Sequence, residues 1–193
     1  MKYNSTISKE EIEKMPIFHY TGNIVVVDNV SDFNNIKNNL FEEKIWGFDT
    51  ETKPIFNAGD VARKPALLQL SSDKITYLFR LNKIGLQVDL INFLSSPNFL
   101  KIGLALRDDL HNLRKYQNFE PAGFIDLQTI AKKNGIEELG LKKLSALILS
   151  IRISKRQQLS NWEADILSEK QIKYAAIDSW ITREIYLKLQ NND

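Results

Sequence analysis

The sequence predicts an α/β domain, a mixed β-sheet flanked by α-helices. Three observations carry this. Short β-branched and apolar runs crowd the first half of the chain, helical periodicity dominates the second half, and two strands near residue 70 are joined too tightly to run parallel. With 193 residues, 43% of them hydrophobic and 10% aromatic, the chain can bury a sizeable core. No repeat, low-complexity stretch or linker divides it, so a single domain is expected over 1–193, with an N-terminal extension over about 1–21.

The elements follow in order. Ser8 and Glu11 have capping-box spacing for a short helix stopped near Pro16. Residues 23–28 read as a strand, because the run of isoleucine and valines is short and bounded by polar residues. Ser31 is placed to cap a helix reaching about 43, with Phe33, Ile36, Leu40 and Phe41 at helical spacing. Residues 45–51 form a strand with apolar residues on both faces, as in a strand buried within a sheet. The stretch 52–64, with Pro54 and Gly59, is a loop. Strands over 66–71 and 74–79 follow, linked by a tight turn at Ser72 and Asp73, and must pair antiparallel. A helix over 88–94 ends before Pro97, and a strand over 99–106 leads into a helix near 108–116. From Phe124 onward the pattern is helical except around 159–162. Ser168 and Gln171 cap the last helix, along which Ile177, Ile181, Ile185 and Leu189 make an apolar stripe.

Composition excludes several chemistries. There is no cysteine, which removes disulfide scaffolds, thiolate metal sites and cysteine nucleophiles. The two histidines, His19 and His111, cannot make a histidine-rich metal site, so any metal should sit on oxygen ligands, which favours magnesium, calcium or manganese. No apolar run has the length of a membrane span, and the N-terminus has no signal-peptide core, so a cytoplasmic protein without a membrane partner is expected. A monomer is the default. The 26 basic and 24 acidic residues are balanced overall. Within 131–160, however, Lys132, Lys133, Lys142, Lys143, Arg152, Lys155 and Arg156 face only Glu137 and Glu138. On charge alone this reads as a solvated helix face; functionally it reads as a track for backbone phosphates.

Three short patterns carry chemistry. Asp49 and Glu51 are two apart at a strand end, so both carboxylates point to one side, where they repel unless a cation neutralises them. Asp108 and Asp109 open a helix directly after an apolar strand, where acids also complement the helix dipole. Tyr174 and Asp178 are four apart on one face of the last helix. Each alone has an ordinary structural explanation. Their order along the chain is the distinguishing feature.

That order resembles the three-motif signature of the DEDDy 3′–5′ exonucleases, the branch of the ribonuclease H-like fold with four acids and a tyrosine. The strings 47–54 (Gly-Phe-Asp-Thr-Glu-Thr-Lys-Pro), 66–71 (Ala-Leu-Leu-Gln-Leu-Ser) and 160–162 (Ser-Asn-Trp) are similar to the Werner-type and ribonuclease D exonuclease domains, and the likeness runs from about 22 to 189. The resemblance implies a ribonuclease H-like mixed sheet and a metal-dependent enzyme that releases nucleoside 5′-monophosphates from a 3′ end. It implies two divalent ions, Mg2+ or Mn2+, on Asp49, Glu51, Asp109 and Asp178. Asp49 would bridge them, Glu51 and Asp178 would complete the site that activates water, and Asp109 would anchor the second ion through a water molecule. A one-residue slip would substitute Asp108 for Asp109. Tyr174 would orient the attacking water; the sister branch carries histidine where this chain has Lys173. Thr50, Phe48 and Phe56 near the first motif, and Arg152, Lys155 and Arg156 ahead of the last helix, are candidate substrate contacts, although core packing suits Phe48 better. The expected partner is nucleic acid with a single-stranded or recessed 3′ end, DNA favoured over RNA. The alternatives are a ribonuclease D-like exoribonuclease acting on structured RNA and an inactive nucleic-acid-binding module.

Overall fold

A computed structural model describes residues 3–54 and 64–190. The predicted strands appear as β1 (Asn23–Val27), β2 (Ile45–Glu51), β3 (Leu67–Ser71), β4 (Ile75–Phe79) and β5 (Leu100–Gly103), joined by a three-residue β6 (Phe124–Asp126) that helical periodicity concealed. They form one sheet in the order β1-β4-β3-β2-β5-β6. The β3–β4 and β2–β3 pairs are antiparallel, whereas β1–β4, β2–β5 and β5–β6 are parallel. β3 therefore runs against the other five strands, and the mixed sheet is as predicted.

The helices are α1 (Lys9–Lys14), α2 (Val30–Ile36), α3 (Leu81–Ile84), α4 (Val88–Leu94), α5 (Arg107–Leu113), α6 (Leu127–Lys133), α7 (Leu141–Leu149) and α8 (Glu169–Gln190). The Ser8–Glu11 capping box is formed. Ser168 and Gln171 also exchange hydrogen bonds at the start of α8. The helix expected from Ser31 differs: Asn29 is its cap, because its side chain accepts from the Asp32 N–H at 2.9 Å. It ends at Ile36 and gives way to a 3₁₀ turn over Lys37–Phe41.

Alternation along the strands sorts the core into two layers. Val27, Trp46, Phe48, Leu70, Tyr77 and Phe79 pack under α2 and α4 on one face. Ile102, Leu67 and Leu78 face α6, α7 and α8 on the other. Gly47 governs the approach of α8 to β2. A Cβ at this position would lie 1.8 Å from the Ser179 carbonyl oxygen, so only glycine lets the helix backbone settle here. The seated helix is tied to the sheet by Thr182 Oγ1 donating to the Ile102 carbonyl at 2.7 Å, a Ser71–Ser179 hydroxyl pair at 2.7 Å, and Arg183 Nε donating to the Ile45 carbonyl at 3.2 Å.

Candidate active site

Because β2, β5 and β6 are parallel, their C-terminal ends share one edge of the sheet, the edge where open α/β sheets hold ligands. Asp49 and Glu51 lie at that end of β2, on the face covered by α8. Asp178 precedes Ser179, the residue seated on Gly47, so the close helix–strand contact delivers its carboxylate to the same place. One oxygen each of Asp49, Glu51 and Asp178 lie within 4.8 Å of one another.

Asp109 arrives by a different route. After β5 the chain turns through Ala105, held at a φ of 56°. Asp126, at the end of β6, accepts hydrogen bonds from the Ala105 and Leu106 N–H groups at 3.2 and 3.1 Å and caps α6 through the Gln128 N–H at 2.9 Å. This anchor aims α5 back at β2, where the Thr50 hydroxyl donates to the Asp109 carboxylate. The neighbouring Asp108 is exposed and lines a separate surface hollow with Arg107, His111 and Arg114. Of the two aspartates left open by the sequence, Asp109 is the one brought to the other acids.

The electrostatics are those of crowded anions. Burial first, then Asp178 and Asp109, push the Asp49 carboxyl well above the usual carboxylate range. Burial, then Asp49, Asp178 and Asp109, take Glu51 up to about 10. Burial raises Asp178 to about 7 against the opposing Tyr174 hydrogen bond and Lys155 charge. Burial also raises Asp109 to about 6 against the opposing bond from Thr50. Tyr174, buried beside Trp162 and hydrogen-bonded to Asp178, is pushed far above its ordinary value by burial and by the Asp178 and Glu51 charges. Gln69, cross-strand from Asp49, is fully buried with neither amide atom partnered among the described residues.

An all-oxygen set of four acids fits a hard divalent cation, whose charge offsets the burial and mutual repulsion that raise the acids' pKa values. A measurable consequence follows. The folded chain retains protons that the unfolded chain releases near pH 4, so stability falls as pH rises from about 4 through 7, by of order a few kcal/mol for the set. The melting temperature of EDTA-treated protein is expected to drop between pH 4.5 and 7.5, and Mn2+ should restore it at the upper end. A melting temperature that stays flat or rises in EDTA contradicts this electrostatic description.

Asp49, Asp178 and Tyr174 open onto a cleft of about 330 Å³, with Lys155, Gln128 and Gln158 among its other walls. Arg152 and Arg156 lie in an adjoining hollow together with Lys155. Phe48 does not reach the cleft. It points to the opposite face of the sheet, is fully buried, and meets Phe124 edge-on at 5.1 Å, so it is a core residue and not a contact for a terminal base. Thr50 turns its hydroxyl to Asp109. Phe56 lies outside the described residues. Sequence reasoning missed Gly47 and Asp126 as supports and Gln128 and Gln158 as cleft walls. The lone glycine within an otherwise apolar strand was the available signal for the first of these.

A family model described as 3'-5' exonuclease matches residues 24–192. The chain belongs to the 3′–5′ exonuclease family. The chain is 35% identical over 176 residues to exonuclease 3'-5' domain-containing protein 2 of Drosophila melanogaster, covering 86% of this chain and 30% of that protein. It thus spans under a third of this relative's length. Among solved structures, the Nibbler EXO domain of Aedes aegypti superposes with a TM-score of 0.81 at 22% identity, covering 90% of this chain and 91% of that one, which establishes the shared ribonuclease H-like fold. The EXD2 exonuclease domain soaked in Mn gives a TM-score of 0.51 at 26% identity, covering 88% and 89% of the two chains. The family to which the chain belongs is one of nucleases. No helix among the described residues is long and apolar enough to cross a membrane.

Proposed function

We propose that the chain removes nucleotides from the 3′ end of a nucleic acid, DNA in preference to RNA, in a reaction that depends on two divalent ions, Mg2+ or Mn2+. The observation that carries this reading is the convergence of Asp49, Glu51 and Asp178, with Asp109 close by, beside the buried hydroxyl of Tyr174. Asp49, Glu51 and Asp178 would hold one ion, and Asp49 with Asp109 the other. Divalent ions bound there supply Lewis acidity to the phosphodiester and lower the pKa of water.

The protein's own groups do the remainder. The Tyr174 hydroxyl, hydrogen-bonded to Asp178 in this structure, would turn to the attacking oxygen and orient it once a cation engages that carboxylate; with an ordinary pKa of about 10, raised further by burial, it is a poor base at neutral pH. Lys155 stands at the rim, close enough to favour the Asp178 anion, and meets a phosphate entering the cleft. Asp126 and Thr50 keep Asp109 in place. A phosphodiester held this way need not have its base read, so little sequence preference is expected. The preference for DNA rests on the likeness of the motif strings to the Werner-type domain. An inactive binding module would have no use for four acids facing phosphates.

The test is incubation of 5′-labelled DNA and RNA strands of matched sequence with the protein in Mg2+ or Mn2+. Stepwise shortening from the 3′ end with release of nucleoside 5′-monophosphates is expected, abolished by EDTA and faster on DNA. Absence of mononucleotide release from every strand overturns the proposal, and faster RNA turnover overturns the DNA assignment. Tyr174→Phe should lower kcat on the order of 10–100-fold while leaving Mn2+ affinity close to wild type. Unchanged turnover would remove Tyr174 from the reaction.

A further inference from the structure

The segment ahead of β1 has a place in the site. Ile17 forms a parallel bridge with Arg152. Around it, the Phe18 N–H donates to the Arg152 carbonyl at 2.8 Å and the Arg152 N–H to the Pro16 carbonyl at 2.9 Å. The Phe18 ring stacks on Trp180 with centroids 4.8 Å apart and planes within 3°. The segment is thereby pinned to the same helix that carries Tyr174 and Asp178. It walls a hollow of about 450 Å³ lined by Ile17, His19, Lys142, Arg152, Lys155 and Arg156, with no acidic residue in its lining.

None of the four lysine and arginine side chains forms an ion pair among the described residues, and the buried Nε of Arg152 has no hydrogen-bond partner among them. Lys155 also faces the Asp178 carboxylate of the adjoining cleft, whereas the other three cations have no acidic neighbour in the hollow, so an anionic ligand there relieves their mutual repulsion. The hollow shares Ile153 and Lys155 with the carboxylate cleft, so the two are continuous. A third, mainly apolar hollow, lined by Ile17, Phe18, Tyr174 and Ile177, lies alongside and suits the flat faces of bases.

We propose that the hollow between residues 16–19 and α7 holds backbone phosphates of the nucleotides on the 5′ side of the 3′-terminal residue, which makes the N-terminal segment part of the substrate tract. This rests on the 3′-end reading above. Phosphate contacts of this kind position a strand without reading its bases, and their strength depends on chain length and salt.

The test compares wild type with the His19→Ala/Lys142→Ala double variant on two substrates, the p-nitrophenyl ester of thymidine 5′-monophosphate and a single-stranded 20-nucleotide DNA. The ester has one phosphodiester and cannot reach the hollow. The expected result is a KM raised about tenfold on the 20-mer, a salt dependence shallower by about one unit of log–log slope, and an unchanged kcat/KM on the ester. Lys142→Arg alone should behave as wild type. An unaltered KM and salt slope on the 20-mer overturn the inference. Fluorescence anisotropy of the 20-mer in EDTA separates this inference from the reading it rests on. If wild type hydrolyses neither substrate, the exonuclease proposal fails, yet weaker binding by the variant still supports the hollow and equal binding overturns it. Lys142→Glu, expected to weaken 20-mer binding further, reads the same quantities should the double variant melt early.

Discussion

Replacement of Asp49 by asparagine is expected to abolish nuclease activity and, in the same protein, to raise the stability of the metal-free fold. The two effects share one cause. Asp49 sits among Glu51, Asp178 and Asp109, and burial together with these charges holds its proton far above the ordinary carboxylate range. At pH 7.5 without metal the fold bears the cost of that crowding, and the amide removes it. Each pKa unit of displacement relieved corresponds to about 1.4 kcal/mol, so the melting temperature in EDTA should rise by several degrees. With the substitution the cup loses the acid common to both proposed ion sites. Losing several kcal/mol of transition-state stabilisation corresponds to at least about a 10³-fold fall in kcat/KM. Melting curves in EDTA and initial rates in Mn2+ measure both quantities. A variant that is less stable in EDTA would show that the acids are not crowded as described, and one that retains activity would remove Asp49 from the chemistry.

The second large effect is expected at a residue with no functional group. Gly47→Ala places a methyl group 1.8 Å from the Ser179 carbonyl oxygen and 2.7 Å from its carbon. Both are backbone atoms of a long helix fixed by Thr182 and Arg183, so no rotamer change relieves the clash. The helix must retreat, at a cost of about 1–3 kcal/mol for overpacking. Asp178 retreats with it, and displacement of a reacting group by about 1 Å costs on the order of 10²-fold in rate. Activity and Mn2+ affinity should therefore fall together, with the melting temperature several degrees lower. Gly140→Ala, whose Cβ meets open space, is the stability control and should melt close to wild type. If Gly47→Ala melts and turns over as wild type does, the close packing of α8 on β2 does not position the site.

Much of this architecture was legible because local chemistry and long-range structure agreed. β2 was read with the bounds it has, since a strand buried on both faces is apolar throughout and its two acids mark its end. The β3–β4 hairpin followed from the shortness of the link at Ser72 and Asp73. What escaped notice depends on partners distant in sequence. β6 has three residues and takes its strand character from pairing with β5, so the helical pattern of α6 swallowed it, and Asp126 went unnoticed with it. The choice between Asp108 and Asp109 turned on Thr50, 59 residues away, whose hydroxyl selects one of them. Phe48, a candidate contact for which core packing was the better fit, is sent into the opposite core by strand alternation. The N-terminal segment carries no motif. Its position beside the cleft comes from a bridge between Ile17 and Arg152, which no local pattern announces.

Side chains from β2, α5 and α8 are proposed to form one cation-binding, hydrolytic cup. Anomalous diffraction from manganese-soaked crystals tests it most directly. One peak bonded to Asp49, Glu51 and Asp178 is expected, with a second on the Asp49–Asp109 side. Crystals without manganese in the cup, from protein that nonetheless degrades 3′ ends, would contradict it.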